Sequence, residues 1–307
     1  MLLRLVPMPF LLFVLFCRAV LAGQTAFETS AGPRVQSFRY AWVDGGGVAH
    51  AAAFTLPAAT VARELSEPVR LPLDALAKAQ LAGVEAYARG LNGPKVTAKA
   101  GRGGAVAISV SGRDRARMNA ALAGAEAASA AARASFLAAR GWSVDDRGRL
   151  RPDHARIAAD MADDVGPVAV ALGMPPGDPR EGLARALSFV QSIPYERHRK
   201  NRQDAGFRRP LSVLAMNRAD CDGKATLFLA LVRAAYPSLG AAMVYIPNHA
   251  LVGLAIEPVR GDSTFKRDGV RFVLAEPVGP SLTPLGEGSG RSERRAFFGA
   301  LDVVPVP

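Results

Sequence analysis

An α+β fold is expected for this chain, and three features of the sequence point to it. Helical and β-type segments are not interleaved regularly but grouped: in the last third, a nearly all-apolar helical run at 225–235 is followed by three β-type runs at 241–246, 249–256 and 269–275. Earlier, Phe38, Tyr40 and Trp42 alternate with polar or small residues, Asp44-Gly45-Gly46-Gly47 supplies a turn, and 48–56 continues as an extended run, which is the pattern of a β-hairpin. Between this hairpin and the last third lie two long segments of helical spacing, 73–91 and the alanine-rich 113–140, closed by Asn92-Gly93-Pro94 and Gly141.

The remaining elements follow in order. A second hairpin is expected from 96–100, the turn Gly101-Arg102-Gly103-Gly104 and 105–110; that glycine cluster lacks the Lys-Ser/Thr ending of a phosphate loop and opens no helix. Gly173-Met174-Pro175-Pro176-Gly177 reads as a linker. After it Asp178 can cap a helix running to Gln191, with Pro179 in the first turn and Glu181 completing a capping box. Residues 197–207 are polar and loop-like, and Pro210-Leu211-Ser212-Val213-Leu214 leads to the only cysteine outside the N-terminal segment, Cys221. The organisation expected is therefore a leader at 1–22, a mixed α/β accessory region at 23–172, a second domain at 178–282 and a flexible tail at 283–307. The stretch 286–295 is rich in Gly, Ser and charge, and 297–306 can dock back as a short strand.

Residues 1–22 carry Arg4, a short apolar run from Phe10 to Phe16, and Val20-Leu21-Ala22 before Gly23, the layout of a secretory signal cleaved after Ala22. The apolar run is too short for a stable membrane span. Cys17 lies in this segment, and Val14-Leu15-Phe16 ahead of it lacks the small residue of a lipoprotein-processing site. The mature chain is expected in the periplasm or outside the cell. Its formal charge is strongly positive, +11 for the whole sequence, with clusters at Arg197-His198-Arg199-Lys200, Arg208-Arg209 and Arg294-Arg295. A solvated arginine-rich surface explains them, and an anionic envelope polymer is the alternative partner. Few aromatics accompany these runs, which argues against nucleic acid.

An unpaired thiol in an exported chain asks for a chemical reason. Cys221 lies where a helix begins, in Arg218-Ala219-Asp220-Cys221-Asp222-Gly223-Lys224-Ala225, so backbone N–H groups favour its thiolate. Ile246-Pro247-Asn248-His249 and Phe272-Val273-Leu274-Ala275-Glu276-Pro277 then supply a histidine and a carboxylate in the order of a Cys-His-acid nucleophilic site. In that reading His249 forms an ion pair with the thiolate and Glu276 holds the ring. Asp220 and Asp222 would oppose a low thiol pKa if aimed at the sulfur, and are expected to cap the helix or bind nearby backbone instead. The plain alternatives are a small buried cysteine, a turn histidine and a strand-end charge. No two-cysteine pair and no His-Glu-x-x-His segment is present, and the four histidines are scattered, so neither metal nor cofactor is expected.

Asp220-Cys221-Asp222-Gly223-Lys224-Ala225, Tyr245-Ile246-Pro247-Asn248-His249-Ala250-Leu251-Val252-Gly253 and Glu276-Pro277 closely resemble the bacterial branch of the transglutaminase-like superfamily, over about 180–280. The resemblance implies a papain-like core with the cysteine at a helix N-terminus and the histidine and acid on adjacent strands. It implies Cys221 as nucleophile, His249 as general base and acid and Glu276 as orienting acid. The segment Phe189-Val190-Gln191-Ser192-Ile193-Pro194-Tyr195 is similar to the stretch ahead of the cysteine in relatives. Gln191 is a candidate oxyanion-hole donor there, or a helix-surface glutamine, and Tyr195 lines the cleft or packs beneath the loop. Ala219 stands where relatives have Gly, Glu276 where Asp is common, and no aromatic follows His249. The resemblance implies an exported thiol protease or amidase acting on a peptide, protein or cell-envelope substrate. The alternatives are an amine-dependent transamidase and a non-catalytic peptide- or glycan-binding module using the same cleft.

Overall fold

The structure, a computed structural model, describes residues 23–66, 70–145, 147–174, 178–196, 207–279, 282–290, 292 and 301–307. The expected leader 1–22 with Cys17, the Pro175-Pro176-Gly177 part of the linker, all but Phe207 of the loop 197–207, and Arg294-Arg295 lie outside the described residues. Eight α-helices accompany antiparallel sheets among the described residues, an α+β fold.

The first hairpin is present as β2 (Val35–Val43) and β3 (Ala49–Pro57), with Trp42 opposite His50. The Asp44 carboxylate closes its turn by accepting N–H groups of Gly46 and Val48, both at 2.9 Å. β1 (Gly23–Ala31) pairs outside β2 and completes a three-stranded sheet. Period-two alternation puts Phe38, Tyr40, Trp42, Ala52, Phe54 and Leu56 on one buried face. Trp42 is therefore part of the core, and its indole N–H donates to Ser188 Oγ at 3.0 Å. His50 stacks on Trp42 and pairs with Asp44 at 2.8 Å. α1 (Ala58–Ser66) continues from β3.

The helices α2 (Leu73–Arg89) and α3 (Arg115–Ala138) pack against each other beside the hairpin of β4 (Lys95–Ala100) and β5 (Val106–Ser111). Asp114 caps α3 by accepting the Arg117 N–H. Leu76, Phe136, Leu137 and Trp142 form a small core of their own there. A short hairpin, β6 (Trp142–Val144) and β7 (Leu150–Pro152), leads into α4 (His154–Asp160) and α5 (Ala162–Ala171).

α6 (Pro179–Ser192) starts as expected, with Asp178 accepting the Arg180 N–H at 2.9 Å and Pro179 in the first turn. Glu181 does not close a capping box; it pairs with Arg185 one turn on, at 2.6 Å. α7 (Pro210–Met216) ends at Asn217, in the left-handed region at φ 49°. α8 (Cys221–Ala235) follows, and then β8 (Ala241–Ile246), β9 (His249–Leu254), β10 (Thr264–Arg267), β11 (Val270–Ala275) and β12 (Asp302–Pro305). These form one antiparallel sheet in the order β10-β11-β9-β8-β12. β12 is the docking strand expected within 297–306, of which 297–300 lie outside the described residues.

α8 is the centre of the main core. Every residue from Gly223 to Val232 is buried, with α4, α5, α6 and α7 packed around the helix and β8 and β9 beneath it. Burying Leu227, Phe228, Leu229, Leu231 and Val232 contributes roughly 1.5–3 kcal/mol each. The same continuous core takes in the inner face of β2 and β3.

Lys224 is the exception on this helix. It is fully buried, and its Nζ donates to the Gln191 carbonyl at 3.1 Å. Burial disfavours the ammonium and brings its pKa down from 10.5 to about 7. Between about pH 7 and 10 the unfolded chain therefore holds the extra proton, so this group makes stability rise as pH rises through that window. Lys224→Met should remove up to about 1.4 kcal/mol per pH unit of that slope. Urea unfolding of both proteins at pH 7.5, 8.5 and 9.5 measures it, and identical slopes would mean that Lys224 does not titrate there.

Candidate active site

Cys221 owes its position to a sequence of local devices. Asn217 terminates α7, and Arg218 and Ala219 then run extended beside 194–196, with the Ala219 N–H donating to the Pro194 carbonyl and the Glu196 N–H to the Ala219 carbonyl. Asp220 is the N-cap of α8; its carboxylate accepts the Gly223 N–H at 3.0 Å. The chain therefore turns sharply, and Cys221 is the first helical residue, half-buried. Ala219, in place of glycine, is fully buried, and a Cβ at position 223 would lie 3.1 Å from its methyl carbon. The glycine at 223 makes room for the alanine at 219.

His249 is positioned by the β8–β9 hairpin. Ile246 pairs with His249 across a two-residue turn, Pro247-Asn248, in which Asn248 is left-handed at φ 60°. His249 Nε2 lies 2.8 Å from Glu276 Oε1, at the end of β11, and both side chains are largely buried. Glu276 occupies Nε2 and leaves Nδ1 as the ring nitrogen without a carboxylate. The backbone N–H of Ala250, the residue after His249, lies near enough to the Cys221 sulfur to act in favour of its thiolate. Cys221, His249 and Glu276 are thereby brought together from α8, β9 and the end of β11.

The electrostatics differ from the expectation at the thiol. Burial pushes the Cys221 thiol well above its ordinary range, and the charges of Asp222 and Asp220 push it further. Asp220 is the helix cap, as expected. Asp222 is not turned away: its Oδ1 accepts the Cys221 S–H at 3.4 Å, a contact that favours the protonated sulfur. The Ala250 N–H acts in the opposite direction, and loses. Together these influences favour the neutral thiol over a thiolate.

For Glu276, burial alone would raise the pKa. Hydrogen bonds from His249, the Ser289 N–H and the Ser292 hydroxyl, with the His249 charge, outweigh it and hold the carboxyl below its usual range.

Gln191 is buried near the site but faces away from an oxyanion role. Its Nε2 donates to the Glu276 carbonyl and the Thr283 carbonyl, both at 2.9 Å, and so leaves neither amide hydrogen free. It ties α6 to the end of β11, while its own carbonyl accepts Lys224 Nζ. Tyr195 is exposed, its backbone bridged to Ala219. Beside it, Glu196 pairs with Arg208 and Arg218 at 3.0 and 3.2 Å. Ser289 and Ser292 are site residues that the sequence does not single out, since they fall in the stretch expected to be a flexible tail. Their Gly-Ser-rich surroundings carry no signal that separates them from a linker.

Among the described residues, no group of three or more His, Cys, Asp or Glu side chains could hold a metal ion, and no helix is long and apolar enough to cross a membrane. A surface groove of about 450 Å³, lined in part by Gln80, Ile108, Glu126 and Arg133, shares no residue with this site. Comparisons of the chain with family models, with curated proteins and with solved structures give no match.

Asp222 is the group whose removal most directly frees the sulfur. Asp222→Asn takes away the negative charge beside Cys221, so the thiol pKa should fall and the thiolate fraction at fixed pH should rise. The rate of iodoacetamide labelling at pH 8 is expected to increase about tenfold, and an unchanged rate would mean that Asp222 does not govern the thiol.

Proposed function

We propose that this chain is an exported cysteine amidase or protease of the transglutaminase-like kind, its α8 and five-stranded sheet forming a papain-like core and Cys221, His249 and Glu276 its catalytic triad. One observation carries the reading. The sulfur sits at the N-terminus of a buried helix, under the influence of the N–H that follows His249, and His249 is held through Nε2 by Glu276.

Burial and the neighbouring aspartates favour the neutral thiol, so the reaction starts with general-base help. Cys221 Sγ attacks the amide carbonyl carbon as its proton passes to His249 Nδ1, and the carbonyl π pair moves onto oxygen. Glu276 stabilises the imidazolium that forms. With the Gln191 amide engaged, the N–H groups of the first turn of α8, including that of Cys221, are the donors for the oxyanion. Collapse breaks the C–N bond, His249 gives its proton to the departing amine, and a thioester remains on Cys221. Water then adds to the thioester with His249 as base, and the acid and free thiol leave. An amine in place of water gives transamidation from the same intermediate.

A second reading, a non-catalytic envelope peptide- or glycan-binding module, is favoured by the raised thiol. In either case the positive charge suits an anionic cell-envelope partner.

Acylation by p-nitrophenyl acetate, followed by intact mass, separates the two readings. The enzyme reading expects one acetyl group on Cys221, none in Cys221→Ser, and acylation slowed about 10²–10⁴-fold in His249→Ala. Adding a primary amine that takes up the acyl group faster than water does would mark a transamidase. Failure of the wild type to acylate under conditions that label an unfolded control would leave the binding module.

A further inference from the structure

The proposed triad leaves most of the Glu276 carboxylate unexplained. His249 takes one position on Oε1. The others are filled from the C-terminal stretch: the Ser289 N–H donates to Oε2 at 2.5 Å, the Ser292 hydroxyl donates to Oε1 at 2.9 Å, and the Ser289 hydroxyl lies 3.4 Å from Oε1. The two serine hydroxyls also bond each other at 2.9 Å, and Ser292 is buried. A buried carboxylate that lacked these donors would lose part of what keeps it ionised.

The stretch reaches Glu276 because it is pinned just before Ser289. The Gly286 N–H donates to the Leu274 carbonyl at 3.0 Å, and the Gly286 carbonyl accepts the Ser263 N–H at 2.6 Å. Gly286 is left-handed, at φ 92°, and a Cβ there would fall 2.0 Å from Asp262 Oδ1, so only glycine fits. Asp262 is itself paired with Arg180 on α6. The chain is thus fixed against the sheet three residues ahead of Ser289.

We propose that Ser289, through its N–H, and Ser292, through its hydroxyl, are positioning residues that hold the Glu276 carboxylate on His249 Nε2. This inference rests on the triad reading of the site. It also accounts for a glutamate in the third position: the extra methylene adds a rotatable bond, and the serines fix the longer side chain. Neither serine touches the reacting atoms.

The test is NMR of the full-length protein, which reads the carboxylate and the imidazole whether or not the protein turns over. In Ser292→Ala the Glu276 titration should move up by about one pH unit, and the downfield Nε2–H proton of His249 should broaden or vanish. Ser292→Thr, which keeps the hydroxyl, should restore both. Ser289→Ala should stay close to wild type, because the backbone N–H remains. Should Ser292→Ala not fold, Ser292→Cys, of similar shape with a weak donor, carries the same expectation. An unchanged titration and imidazole proton in the folded variant, or a loss that threonine does not restore, would overturn the proposal. If the wild type does not acylate while these signals shift as stated, the amidase reading fails and the positioning of Glu276 by the serines stands.

Discussion

Burial of α8 is the constraint on which the rest of the structure depends. A helix apolar from Ala225 to Val232 except for Thr226, whose hydroxyl bonds the Asp222 carbonyl, has no solvent side, so four helices and two strands must surround it. The polar start, where Cys221 and Asp222 are half-buried, is then one of the two ends of the helix that can meet solvent or a substrate. The strands underneath are the ones whose hairpin ends in His249. Central placement of the helix and placement of the thiol beside Ala250 are one consequence. Lys224, Gln191 and the end of β11 extend the same packing, since the lysine bonds the Gln191 carbonyl and the Gln191 amide bonds the carbonyl of Glu276.

The site holds two opposing influences on the sulfur. The helix N-terminus and the Ala250 N–H favour negative charge, whereas burial, Asp222 and Asp220 disfavour it, and the second set prevails. On the proposed mechanism this changes the role of His249. It is a base that works during attack rather than the standing counter-ion of a thiolate, and it needs Glu276 ionised and in place when the imidazolium forms. Glu276 meets that need at rest: its pKa is held down by donors from His249, Ser289 and Ser292 in spite of burial.

Much of this was readable from the chain because it depends on local chemistry. The alternation of Phe38, Tyr40 and Trp42, the Asp178-Pro179 helix start and the Pro247-Asn248 turn each dictate a backbone geometry within a few residues, and each is present. The unread elements are set by tertiary contact. β1 is mostly exposed on both faces and shows no alternation. α5 contains Gly166-Pro167, a pair that disfavours helix, yet burial of Val165, Val168 and Ala169 keeps the helix intact across it. At the site, the order Cys, His, Glu was visible, but side-chain direction was not. The aim of Asp222 at the sulfur, the capture of the Gln191 amide by carbonyls and the return of Ser292 to Glu276 depend on segments far apart in sequence, and no spacing rule encodes them.

The central claim is that His249, not a pre-formed thiolate, activates a half-buried Cys221 held as the neutral thiol. The pH dependence of Cys221 labelling by iodoacetamide, in wild type and His249→Ala, tests it most directly. The account expects labelling to rise only above the ordinary thiol range of about 8.5, with no acidic plateau in either protein and a slower rate near neutrality in His249→Ala. A fast plateau persisting below neutral pH in the wild type and abolished in His249→Ala would contradict it, because that is the signature of a resting thiolate–imidazolium pair.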